Sequence, residues 1–140
     1  MKKSLKLFLF LGLLLMFHFG AMETLGQGVC VIAEQKVSKI AGSVKFLNSE
    51  SFIKDAKLKL TARSDQTKVI SETITNERGL FEFENIAKGK YMLIVSNPNL
   101  ITLYIPLKVS NKKKDSKLQV SLGALIGEPC GGGDVKTISQ

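Results

Sequence analysis

Between Ile40 and Leu122 apolar and polar residues alternate with a period of two, and Gly, Pro, Asn, Asp and Ser break the alternation at short intervals. Successive short strands joined by turns follow from such a pattern, because neighbouring side chains of an extended chain point to opposite faces. The clearest stretch is Thr75 to Val95. Asn76, Glu77, Arg78 and Gly79 supply a turn, Phe81 and Phe83 fall on one side of an extended segment, and Leu80, Glu82 and Glu84 fall on the other. Ala87 to Gly89 then turn the chain into Tyr91, Leu93 and Val95. The alternation predicts a β-hairpin here.

The remaining strands follow the same rule. Ile40, Gly42, Val44 and Phe46 mark the first, and in the loop from Leu47 to Lys54 the apolar Phe52 and Ile53 are expected to plug one end of the core. Ala56, Leu58, Leu60 and Ala62 alternate with Lys57, Lys59 and Thr61, which gives a strand with one wet face. Ser64, Asp65 and Gln66 turn the chain into the β-branched run Val69 to Thr75, suited to a pleated surface. After the turn at Ser96 to Asn99, residues Ile101, Leu103, Ile105, Leu107 and Val109 share a face. Pro106 has no amide hydrogen for a ladder, so this strand is expected at a sheet edge or with a bulge. A charged loop from Asn111 to Ser116 leads to Leu118, Val120 and Leu122. With no amphipathic helix between Lys36 and Leu122 to make a crossover, the expectation is an all-β fold of seven antiparallel strands.

Outside the alternation lie two flanks. Met1 to Lys6 is basic, Leu7 to Gly20 is apolar and Ala21 to Gly26 is more polar with small residues, the layout of a secretory signal peptide. The apolar run falls short of the roughly 20 residues a spanning helix needs. Cleavage is expected after Gly26, or alternatively Gly28, with no stable membrane span thereafter and a secreted, periplasmic or envelope location. Val29 before Cys30 speaks against lipidation. The organisation expected is a signal peptide over 1–26, a segment with Cys30 over 27–35, the β-domain over 36–122 and a Gly-rich tail with Cys130 over 123–140. Cys30 and Cys130 are the only cysteines, and in an oxidising compartment they are expected to form one disulfide.

Certain of these residues resemble a known family. Gly42-Ser-Val44, Asp55-Ala-Lys-Leu-Lys-Leu60, Thr75-Asn-Glu-Arg-Gly-Leu-Phe81, Phe83-Glu-Asn-Ile86 and Gly89-Lys-Tyr91 together resemble the carboxypeptidase regulatory-like domain, over roughly Lys39 to Leu122. The resemblance implies a prealbumin-like Greek-key β-sandwich of about seven strands, of a kind found in exported and cell-surface bacterial proteins. It carries almost no functional information, because the matching residues are core and turn positions. Asn48-Ser-Glu-Ser51 departs from the pattern and implies a longer loop there, and the cysteine-bearing ends fall outside it.

Composition narrows the function. The 140 residues carry a formal charge of +8. Removing residues 1–26 takes three of the 20 basic and one of the 12 acidic residues, leaving 17 against 11, or +6, and it removes the sole histidine. Histidine-dependent hydrolysis, known among transthyretin-like folds, is thereby closed. Two thiols without an imidazole are too few for a zinc site, and Asp55, Asp65, Asp115 and Asp134 stand too far apart in the chain for a calcium loop. Gly131-Gly-Gly-Asp134 lacks the context of a phosphate loop. No cofactor is expected. Glu82 and Glu84 share a face about 7 Å apart at strand rise, a spacing a small hydrolase could use, although such residues ordinarily just solvate a strand. Lys112, Lys113 and Lys114 are a candidate polyanion contact, against the plainer reading of a solvated loop that keeps an edge strand from pairing. The expected role is a non-catalytic structural or binding module, with an envelope or extracellular protein or glycan as partner. A carbohydrate-binding module is the alternative, for which Tyr104 and Phe52 are the aromatic candidates. Nucleic acid is not an expected partner of an exported chain with so few aromatic residues outside its core. Binding is expected at the loops Leu47 to Lys54, Ser96 to Leu100 and Asn111 to Ser116.

Overall fold

The structure, a computed structural model, describes residues 32–111, 116–125 and 132–139. These form nine strands and no helix: β1 (Gln35–Val37), β2 (Ile40–Phe46), β3 (Lys57–Ala62), β4 (Val69–Ile74), β5 (Leu80–Phe83), β6 (Gly89–Ser96), β7 (Leu103–Val109), β8 (Ser116–Leu122) and β9 (Gly133–Ser139). They build two sheets, one ordered β1-β7-β6-β3-β4 and the other β5-β2-β8-β9. Ile40, Val44, Leu58, Leu60, Leu93, Val95, Ile105, Leu107, Leu118, Val120 and Leu122 are buried between them, the inward half of each alternating strand.

The all-β sandwich agrees with the alternation, but its connections differ from the expected ones. Phe81 and Phe83 do point inward, with Leu80 and Glu82 outward, and the two rings meet edge to face at 6.4 Å. Their strand, however, is not hairpinned to the next. β5 pairs with β2 in the four-stranded sheet, whereas β6 pairs with β3 and β7 in the five-stranded one. A period of two assigns faces and says nothing of partners, so two strands whose apolar sides confront each other across a core read the same as two that lie side by side.

The expectation of purely antiparallel pairing is also corrected. β1 runs parallel to β7, and β2 parallel to β8. A parallel neighbour needs a long crossover, and between β2 and β8 that crossover is β3 to β7 rather than a helix. Two strands were not foreseen. β1 is three residues long, and β9 lies in what reads as a flexible tail, antiparallel to β8 from Ser116↔Ser139 to Leu122↔Gly133. Thr137 Oγ1 donates to Gln35 Oε1 at 2.6 Å, joining these two additions across the gap between the sheets.

Local chemistry fixes the corners. Asn76 Oδ1 accepts from the amides of Arg78 at 2.9 Å and Leu80 at 3.0 Å, and Gly79 takes a φ of 66° that suits glycine. A Cβ on Gly79 would also crowd the Val44 carbonyl oxygen at 2.6 Å. Tyr91 donates its hydroxyl to the Ala87 carbonyl at 2.8 Å, so its ring folds back over Gly89 and fixes the turn into β6. The loop after β2 turns tightly, with the Phe46 amide on the Ser51 carbonyl and Asn48 at a φ of 57°. Of the two residues expected to plug the core only Ile53 does, while Phe52 is 49% exposed. Pro106 faces Met92 of β6 on one side, and on the other it lies beyond the end of β1, whose pairing begins at Leu107, so the edge expected at Pro106 is a local one. Against β3 the register of β4 shifts between Leu60 and Thr61, where Leu60 faces Ser71 and Thr61 faces Val69, so Ile70 of β4 is the bulged residue; Thr61 is buried although the alternation puts it outward.

Candidate functional site

The outward half of the five-stranded sheet carries a hollow built by facing side chains of four strands. Because Leu58 and Leu60 face the core, Lys57 and Lys59 must face out, and the register sets their neighbours. Glu72 of β4, Lys59 of β3, Ile94 of β6 and Tyr104 of β7 form one row across four strands. Ile74, Lys57 and Ser96 form the row beside it. Together they line a hollow of about 790 Å³, to which Leu58 and Thr73 also contribute. Lys59 Nζ and Glu72 Oε1 are 3.3 Å apart in its lining, and Tyr104 is 48% exposed.

Two residues along the strands from the Tyr104 row, Met92 and Pro106 form a half-buried apolar pair. Two residues further, Lys90 of β6, Lys108 of β7 and Lys36 of β1 form another cross-strand row. All three lysines are exposed, and among the described residues no carboxylate pairs with any of them. Adjacent strands lie about 4.8 Å apart, so these like charges stand side by side, an arrangement that costs stability. Nothing in the sequence marks this row, since its members come from three strands and become neighbours only through the register.

Other candidates are placed differently. Glu82 is exposed on the outer face of the four-stranded sheet opposite Ala41, and Glu84 is exposed beyond the end of β5. The small hollow on that face, about 160 Å³, is lined by Gly42, Ser43, Leu80, Lys117, Leu118, Gln119 and Ile138, a set without either glutamate. Phe52 lies against Gly79, away from Tyr104 in the fold. Cys30, Cys130, Lys112, Lys113 and Lys114 lie outside the described residues, as does the segment 1–26. Among the described residues no three His, Cys, Asp or Glu side chains come together as a metal site, and no helix is long and apolar enough to cross a membrane. Two exposed groups titrate away from their ordinary range. Lys54 is raised by its hydrogen bond and ion pair with Glu77, and Asp65 is lowered by hydrogen bonds from the Thr67 hydroxyl and amide.

Two packed sheets, one with a hollowed outer face, define a β-sandwich domain. The family model described as BOS complex subunit NOMO1-like, second beta sandwich domain, matches residues 38–123, more than half of the chain, and the chain belongs to that family. No curated protein and no solved structure matches it. The matched residues hold β2 to β8, the seven strands that the alternation predicts, and β1 and β9 fall outside the match.

Proposed function

We propose that the protein is an exported, non-catalytic β-sandwich module that acts by contact in the cell envelope or outside the cell, with the outer face of the five-stranded sheet as its binding surface. The single observation that supports this most is the hollow around Tyr104, in which an open aromatic ring, cationic groups and apolar side chains converge. Such convergence is what a ligand site needs, and a sheet face kept only for solubility has no use for it. The family is named for a subunit of a complex, which is compatible with a module that serves by contact. The resemblance to carboxypeptidase regulatory-like domains of exported proteins agrees with the signal-peptide layout of residues 1–26.

A hydrolase built on Glu82 and Glu84 is the weaker reading, because Glu82 stands on the outer face of the four-stranded sheet, Glu84 lies beyond the end of β5, and neither lines the hollow around Tyr104 or the small one on the four-stranded sheet. The proposal is tested by fractionating cells that produce the protein. Chains beginning after Gly26 or Gly28, found in the envelope or medium and retained there less well when Tyr104 is changed to Ala, are the expected result. Chains with an intact leader among cytosolic proteins contradict export, and retention indifferent to Tyr104 contradicts the binding surface.

A further inference from the structure

We propose that the ligand of this face is an acidic polysaccharide, a glycan chain bearing carboxylate groups. The inference rests on the binding-surface reading above and names the chemistry it would recognise. Three observations converge on it. Lys36, Lys108 and Lys90 stand in one unneutralised row, and this repulsion is relieved when an anion bridges them. Tyr104 lies two strand repeats away on the same strand as Lys108, roughly 14 Å at strand rise, with Pro106 between them. Lys57 adds a cationic group one row beyond Tyr104, while Lys59 stands in the row of Tyr104 itself and is paired with Glu72. The face therefore carries three lysines at one end, the apolar Met92, Pro106 and Ile94 with the open Tyr104 ring in the middle beside the Lys59–Glu72 pair, and the single Lys57 at the other end. An alternation of carboxylate and sugar-ring face along one chain fits that order. A lipid headgroup layer offers anions but no rings to lie on Tyr104. An acidic peptide would be expected to add to a sheet edge, where backbone groups are free, instead of to a face.

The test uses the purified full chain with four probes: polygalacturonate, a neutral galactan, phosphatidylglycerol vesicles and poly-glutamate. Binding is read by titration calorimetry, which serves the parent and the Tyr104→Ala variant alike. Polygalacturonate is expected to bind more tightly than the other three. Lys108→Gln is expected to weaken that binding about tenfold and to reduce its dependence on salt, since one charge contact is lost. Tyr104→Ala is expected to weaken it by a similar factor while leaving the salt dependence unchanged. Thermal unfolding of both variants controls for folding, and Lys108→Gln is expected to be at least as stable as the parent, because it removes a like-charge neighbour. Tighter Tyr104-dependent binding to galactan, vesicles or poly-glutamate overturns the acidic glycan and leaves the binding surface standing. Failure of all four probes overturns both. Polygalacturonate binding that responds to salt but not to Tyr104 also overturns the proposal, since it would then be a general polyanion contact.

Discussion

Thr75 shows how much one side chain contributes at a corner. It is buried, its hydroxyl donates to the Ile53 carbonyl at 2.7 Å and accepts from the Ala56 amide at 2.9 Å, and its own amide donates to Ala56. Thr75→Val keeps the shape and strands two buried backbone groups, so it is expected to cost about 1–3 kcal/mol. A fall in the urea midpoint with unchanged slope checks this. Asp65 makes a second prediction, in pH. Thr67 holds its carboxyl below the usual range, so the stabilisation is present above the ordinary carboxylate pKa and is lost as pH falls through the lowered value. Asp65→Ala is expected to flatten the acid end of the stability profile and leave its shape at alkaline pH unchanged. At this scale the sequence was only partly legible. Gly79 and Asn76 announce a turn through their backbone preferences, whereas Thr75 reads as one more β-branched strand residue, because its hydroxyl partners lie 19 and 22 residues away.

Strand positions were legible for every element from β2 to β8, and inward faces for most of them, but β4 offered only a β-branched run with no face marked, Thr61 rather than Ala62 is buried in β3, and the pairing was not legible at all. Period two is a local property, while the assignment of β5 to one sheet and β6 to the other depends on which surface remains uncovered after β2, β3 and β7 have paired. β9 was missed for a different reason. Val135 and Thr137 alternate with Lys136 and Ile138 as a strand should, but three preceding glycines and the nearby chain end read as an exit. In the fold, β1 and β9 cover the edges that β7 and β8 would otherwise leave open. Deleting residues 133–140 is therefore expected to expose the β8 edge and cause self-association, seen as elution earlier than the parent in size exclusion, while Lys136→Ala elutes with the parent. Elution of the truncated chain no earlier than the parent would show that β9 is dispensable.

At the scale of the whole molecule, the two unforeseen strands meet through Gln35 and Thr137, and Cys30 and Cys130 precede them by a few residues each. We propose that the two thiols are joined, closing a loop of about 100 residues and stabilising by up to about 4.7 kcal/mol in the chain-entropy account. Mass spectrometry of secreted protein without reductant is expected to find the chain lighter by two hydrogens. Two free thiols would refute the bridge. The lysine row also belongs to this scale: it exists because register brings β1, β6 and β7 together, so composition reported a basic chain without saying where the charge would collect. The most direct test of the account is an amide chemical-shift map of the labelled protein titrated with polygalacturonate. Shifts are predicted at Ile94, Tyr104, Pro106's neighbours and Lys108, with Glu82 and Glu84 unmoved. Shifts centred on Glu82, or spread evenly over both sheets, would contradict it.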